Sequence, residues 1–311
     1  MTKTTRTLSI ALLVADTPAP PVVEKRGDYF KIYSDWLNKS LVSIPRHSWQ
    51  DEYKLNITPF DVVKDRKYPD DGMLRDGLFD AIMITGSSAS AYMDIAWTNE
   101  LVDFVKHVSD EHPLVRIIGI CYGHQIVARA LGGKVELNEK GWELGSYECQ
   151  MTEEGREMLG YNEDESIMKI HQVHRDVVTS IPNDCINLAT TEKTKIQAFT
   201  RRYPTDAPPI PSVAGTSTYM AFDISDQGDS SGPMPVRSAQ VLTLQGHPEF
   251  DDDIVTTIVD VRTETGVITG STSEEGRRRA KLPHDGVHLG RNFLAMLGLE
   301  PRKTDAEGGI Q

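Results

Sequence analysis

The stretch "GICYGHQIVARALGG" (residues 119–133) decides how this chain folds. Before it runs "LVRIIGI" (114–120), an apolar run of the length expected for a buried strand. After it, residues 125–131 read as a helix that Gly132 and Gly133 stop, since glycine is the usual residue at a helix C-terminus. At the junction stands Gly119-Ile120-Cys121-Tyr122-Gly123. Gly-x-Cys-x-Gly between a strand and a helix has the form of a nucleophile elbow. The turn strains the central residue, and its neighbours crowd, so side chains flanking it are costly. The first N–H groups of the helix favour a thiolate and can hold an oxyanion. The competing reading is a buried cysteine at the end of an ordinary strand.

Outward from the junction, apolar runs alternate with helical spacing. Residues 8–15, 53–63 and 79–86 read as strands, the second of them with an edge character. Residues 29–41 and 97–108 read as helices, with Phe30, Tyr33, Leu37 and Leu41 on one face of the first. Alternating strands and helices imply parallel βαβ units, whose ligand sites lie at the carboxyl ends of the strands. The second half differs. Residues 168–173, 186–190, 195–201 and 239–244 read as strands in a more antiparallel arrangement. The segment 202–237, rich in Pro, Ser, Gly and Asp, is too long for a plain connection and reads as a flexible insertion. The polar stretch 263–283 contains Arg277-Arg278-Arg279, read as a solvated helix face. Residues 287–297 read as a last helix and 301–311 as a tail, leaving one domain over 1–300.

The chain has 311 residues, 39% of them hydrophobic and 25% charged, as in globular proteins that bury a core without staples. A formal net charge of −13 argues against a binder of nucleic-acid backbones. Three cysteines, Cys121, Cys149 and Cys185, with no CxxC pair, suit a reducing compartment and give no structural zinc site. The basic N-terminus and the apolar run 8–15 are short for a secretory signal and are read as a strand, so a cytoplasmic location is expected. No stretch is long enough to span a membrane.

A thiolate needs a proton partner. His247 in "LTLQGHPEF" (242–250) follows a predicted strand directly, which places it at the same sheet edge as Cys121. Glu249 is two residues on, and residues i and i+2 of an extended segment point the same way. Glu249 can therefore orient His247, completing a Cys-His-Glu triad. The alternative is that His247-Pro248 only shapes a turn. His124, three residues after Cys121, points along the helix. His171 and His174 form an H-x-x-H pair without a third ligand, so no metal is expected. Cys149 and Cys185 are read as core thiols, and Trp142 and Tyr147 as packing beside the site.

With "GICYGHQ" and "GHPEF", the loop "ITGSSASAYMD" (84–94) resembles the class I glutamine amidotransferase family over roughly residues 8–250. The resemblance implies an α/β fold with a flavodoxin-like, mostly parallel sheet flanked by helices and a small antiparallel extension. It also implies hydrolysis of a γ-glutamyl C–N bond through a Cys121 thioester, without a cofactor. Gly86 and Tyr122 match the two N–H donors to the oxyanion, and Gln125 matches a residue at the substrate's amino-acid end. Gly86-Ser87-Ser88 departs from the glycine- and proline-rich loop of many ammonia-supplying members. Together with "GDYFKIYSDWL" (27–37) and "IHQVHRDVV" (170–178), it is more similar to stand-alone γ-glutamyl peptidases. Ser87, His174, Arg175 and Asp176 are then expected at the substrate, the last three on a loop. The implied partner is a small γ-glutamyl compound. Alternatives are a glutaminase subunit passing ammonia to a separate protein, and a non-catalytic binding protein on the same fold.

Overall fold

The computed structural model describes residues 5–44, 52–203 and 235–299. Its elements, in chain order, are β1 (Thr5–Val14), α1 (Pro20–Arg26), α2 (Tyr29–Val42), β2 (Glu52–Asp61), α3 (Asp71–Arg75), β3 (Ala81–Ile84), α4 (Ala96–Glu111), β4 (Arg116–Ile120) and α5 (Tyr122–Ala130). There follow β5 (Lys134–Leu137), β6 (Glu143–Met151), α6 (Glu153–Met158), β7 (Ile167–His174), β8 (Asp176–Ser180), β9 (Ile186–Thr190), β10 (Ala198–Arg202), β11 (Ala239–Leu244), α7 (Asp252–Glu264), α8 (Ser271–Ala280) and α9 (Gly286–Met296).

One nine-stranded sheet has the order β2-β1-β3-β4-β11-β10-β9-β6-β7, and β5 pairs with β8 in a second, two-stranded sheet. The pairings from β2 through β11 are parallel, and those from β11 onward antiparallel. The parallel half covered by helices is the α/β sheet expected from the alternating pattern, with β2 at its edge. β3, β4 and β11 are buried at every residue, which explains why they read as continuous apolar runs without alternation.

Three readings are corrected. Residues 239–244, grouped with the antiparallel strands, pair in parallel with β4, so β11 completes the parallel half. The polar stretch 263–283, whose arginine run is read as a helix face, holds α8; α7 before it was not anticipated, although Ile254, Val255, Ile258 and Val259 follow helical spacing, and Asp251 caps it by accepting from the Ile254 N–H. The strand read over 168–173 is β7 and runs on to His174; the rest of "IHQVHRDVV", expected as a loop, turns at Arg175 into β8. Most of the expected insertion (204–234) and the tail (301–311) lie outside the described residues.

The two faces of the sheet carry separate cores. On one, Tyr122, Ile126 and Val127 of α5 and Leu101 and Val105 of α4 pack on Ile82, Ile84 and Ile117. On the other, Tyr29, Tyr33 and Trp36 of α2, Val255 and Val259 of α7 and Phe293 of α9 pack on Leu12, Met83 and Ile118. Cys121, at the carboxyl end of β4, belongs to this second core. The Arg277-Arg278-Arg279 run is a paired surface face: Arg277 bonds Asp260, while Arg278 and Arg279 share Glu275.

Candidate active site

The backbone at Cys121 has φ 53° and ψ −103°, left-handed for a residue that is not glycine. Such strain survives only where the surroundings enforce it. Here both neighbours are glycines because nothing larger fits. A Cβ on Gly119 would stand 2.6 Å from the Gly123 carbonyl oxygen, and one on Gly123 would stand 2.4 Å from that of Ile84. The turn therefore lifts Cys121 off the end of β4, at the start of α5. The N–H of Tyr122, in the first turn of α5, has no acceptor within the helix.

The parallel pairing of β11 with β4 carries residues 245–250 to the same edge. His247 Nδ1 lies 2.7 Å from Glu249 Oε1, both side chains being buried. The His247 backbone N–H donates to the His171 carbonyl of β7 at 2.7 Å, and its ring stacks on Phe250 with centroids 4.1 Å apart. Imidazole orientation is thus set from three directions. Burial alone would depress the His247 pKa, but the charges of Glu249 and Cys121 and hydrogen bonds to both outweigh it, and the pKa is raised well above its ordinary value. The cluster favours an imidazolium facing the sulfur. Gln245 adds a donor, its Nε2 lying 3.7 Å from Cys121 Sγ.

The remaining expected site residues divide. Gln125 is buried beneath the elbow, donating to Gln245 Oε1 at 3.1 Å and to the Asp176 carbonyl at 2.9 Å. Gly86 adjoins the pair: a Cβ there would meet His247 Cε1 at 2.8 Å and Cys121 Cβ at 3.7 Å. Its N–H, however, donates to the Tyr33 hydroxyl at 3.2 Å, so it can take an oxyanion only by giving up that bond. Ser87 Oγ and both the N–H and Oγ of Ser88 donate to Asp16 Oδ2, which ties this loop to the end of β1. Arg175 is exposed and Asp176 half-buried, its carboxyl pKa raised chiefly by burial. His174 is withdrawn: its Nε2 lies 3.1 Å from Glu143 Oε2, and both side chains are sealed from solvent, so the ring packs against Glu143 away from the surface.

Asp16, Tyr33, Gln245 and Phe250 escaped the sequence reading. Gln245, two residues before His247 in the quoted motif, could have been found by the same i, i+2 argument; Phe250 is three residues on, and Asp16 and Tyr33 arrive from other elements, so none of these carries that signal. His124 is buried, with Nδ1 2.8 Å from Thr243 Oγ1, away from any proton-transfer role. Cys149 and Cys185 are free and buried, with thiol pKa values pushed up by burial. Among the described residues, one group of three could share a metal ion, Asp71 with His107 and His112. It sits at the opposite edge of the sheet, since His112 precedes β4 and Cys121 follows it. No helix among these residues is long and apolar enough to cross a membrane.

A strained cysteine facing a histidine–carboxylate pair can perform acyl transfer: nucleophile, base and orienting acid are contiguous. The model of the family "Glutamine amidotransferase class-I" matches residues 41–205, which include the elbow but not His247. A glutamine amidotransferase-like protein of Schizosaccharomyces pombe is 31% identical over 93% of this chain and 98% of its own length. Gamma-glutamyl peptidase 4 of Arabidopsis thaliana is 28% identical over 64% of each chain. A glutamine amidotransferase structure from Thermotoga maritima shares the fold, with a TM-score of 0.59 at 15% identity over 94% of this chain and 99% of that one. On the strength of the family match and of the relative aligned nearly end to end, this chain belongs to the class I glutamine amidotransferase family.

Proposed function

We propose that the chain is a cysteine-dependent hydrolase of γ-glutamyl amide bonds. The observation that carries this reading is the strained Cys121 beside the 2.7 Å His247–Glu249 pair. The Cys121 thiolate attacks the γ-carbonyl carbon, and the oxyanion forms against the Tyr122 N–H, joined by Gly86 once Tyr33 releases it. His247 gives its proton to the amine nitrogen as the C–N bond breaks, leaving a γ-glutamyl thioester. Water then attacks the thioester, His247 takes its proton, and glutamate leaves as the thiolate returns. Glu249 keeps the imidazole oriented and stabilises its charged form. The gamma-glutamyl peptidases among the relatives support a peptide-like leaving group.

The test uses purified protein with glutamine, glutathione and a glutathione S-conjugate, glutamate being measured. Release from the γ-glutamyl peptides is expected. Turnover of glutamine alone, strongly raised by a second protein, would replace this reading with that of an ammonia-supplying subunit. Cys121→Ala is expected to lower kcat by on the order of 10⁴-fold while substrate still binds; retained turnover would refute the nucleophile.

A further inference from the structure

Arg262, near the end of α7, has no carboxylate partner among the described residues. Its guanidinium lies over the Trp142 ring, 4.6 Å from the centroid. Its Nη1 is buried and meets no hydrogen-bond acceptor among the described residues. The groups that act on its charge are Cys121 and Tyr29, neither a carboxylate. Basic residues nearby behave otherwise: Lys25 and Arg26 of α1 pair with Asp253 and Asp251, and Arg277 pairs with Asp260 on α7 itself. A buried charge left unpaired is costly, and a planar fork held flat on an aromatic face is preorganised for a carboxylate. Such an arrangement is maintained where an anion arrives from outside.

The side of the sheet indicates which anion. Gln125 belongs to α5, and Asp176 heads β8, whose Val178 joins the α5 face; both lie on that face of Cys121. α7, Tyr29 and Trp142 belong to the opposite core. A γ-carbonyl at Cys121 is flanked by its glutamyl end in one direction and its amine in the other. The glutamyl end is assigned to that α5 side, so that the leaving amine extends towards Arg262; Gln125 itself, buried and donating to Asp176 and Gln245, marks the side without touching substrate.

We propose that Arg262 binds a carboxylate carried by the leaving amine, so that the substrates are γ-glutamyl amino acids or peptides with a free carboxyl end, in preference to glutamine. This rests on the γ-glutamyl hydrolase reading. Arg262 and a Cys121 thiolate also act on each other through their charges, and the experiment separates that effect from carboxylate binding.

Wild-type enzyme is assayed for kcat/KM on γ-glutamylglycine and S-methylglutathione, each against its C-terminal amide. A charge-assisted contact predicts a roughly 10- to 100-fold preference for the free acid in at least one pair. In Arg262→Gln that ratio should fall close to one, and Arg262→Lys should restore part of it. Equal rates for acid and amide in wild type overturn the inference, as does an Arg262→Gln variant that slows both alike and keeps the ratio, the result expected of a thiolate partner only. The wild-type comparison stands even if a variant folds poorly. If wild type releases glutamate from none of the four compounds, the γ-glutamyl reading itself fails and the inference falls with it.

Discussion

Glu249 decides the protonation state of His247. Burial disfavours the imidazolium, and the neighbouring carboxylate and Cys121 reverse that preference. A histidine whose pKa is raised by folding stabilises the fold while it is protonated. Its contribution is whole below the unfolded value near 6.5 and fades as pH rises through the folded value, about 10. Glu249→Gln should therefore cost stability most at low pH, by about 3 kcal/mol near pH 6, the scale of a broken buried pair. Urea midpoints at about pH 6, 8 and 10 check this; a gap between wild type and variant that widened with pH would contradict it. At this scale, what could be read from the sequence was what sits close along the chain. Gly119 and Gly123 around Cys121, and Glu249 two residues after His247, follow from elbow crowding and from i, i+2 geometry. Tyr33 and Asp16 do not, because each comes from a segment distant in sequence, and Arg262 does not, because it lies on the helix after the motif, where only packing decides which way its side chain faces.

Elements meet at the site through close approaches that glycine permits. α2 brings Tyr29 and Tyr33 to Cys121 and Gly86, and α9 holds α2 in place through Trp36 stacked edge-on against Phe293 at 6.0 Å. Gly290 of α9 is the contact point: a Cβ there would stand 2.1 Å from Ser40 Oγ and 2.8 Å from Ser40 Cβ. Alanine improves helix propensity by about 1 kcal/mol, but forcing a methyl into a filled contact costs about 1–3 kcal/mol. Packing wins, so Gly290→Ala should lower stability by about 1 kcal/mol in urea unfolding and reduce turnover by displacing Tyr33; a stabilised variant would show that α2 and α9 separate freely. Buried strands and amphipathic helices were legible because burial writes their apolar pattern. Of α8 only the arginine run was legible, since the helix offers the core just Ser273, Gly276 and Ala280; α7 was passed over although Ile254, Val255 and Val259 carry helical spacing. β7 was legible as a strand over 168–173, but its continuation into β8 read as a loop because "IHQVHRDVV" mixes polar and apolar residues, yet His171, Gln172 and His174 are all buried within it.

Across the whole molecule, histidines of the core pull against His247. Burial, aided by neighbouring histidines, lowers the pKa of His124 and His171 to about 3, so both are neutral in the fold. A lowered histidine pKa stabilises above the unfolded value of 6.5, and that contribution is lost as pH falls. Each such proton contributes a slope of up to about 1.4 kcal/mol per pH unit, so between about pH 6 and 4.5 the pair should set a slope approaching 2.7 kcal/mol per unit. His124→Gln should remove about half of it, as read from urea unfolding at several pH values; an unchanged slope would place the acid sensitivity elsewhere. By itself the sequence determined the parallel α/β half, the elbow, and a histidine and glutamate at its sheet edge. Those follow from local sterics and from strand direction, which a chain encodes in nearby residues. Only the tertiary structure decided that β11 lies parallel beside β4, that Tyr33 engages Gly86, and that His174 is sealed against Glu143. It alone laid Arg262 over Trp142 with no carboxylate partner among the described residues. Those depend on which face of the sheet each helix covers, a choice made by packing over long separations that leaves no periodic mark in the sequence.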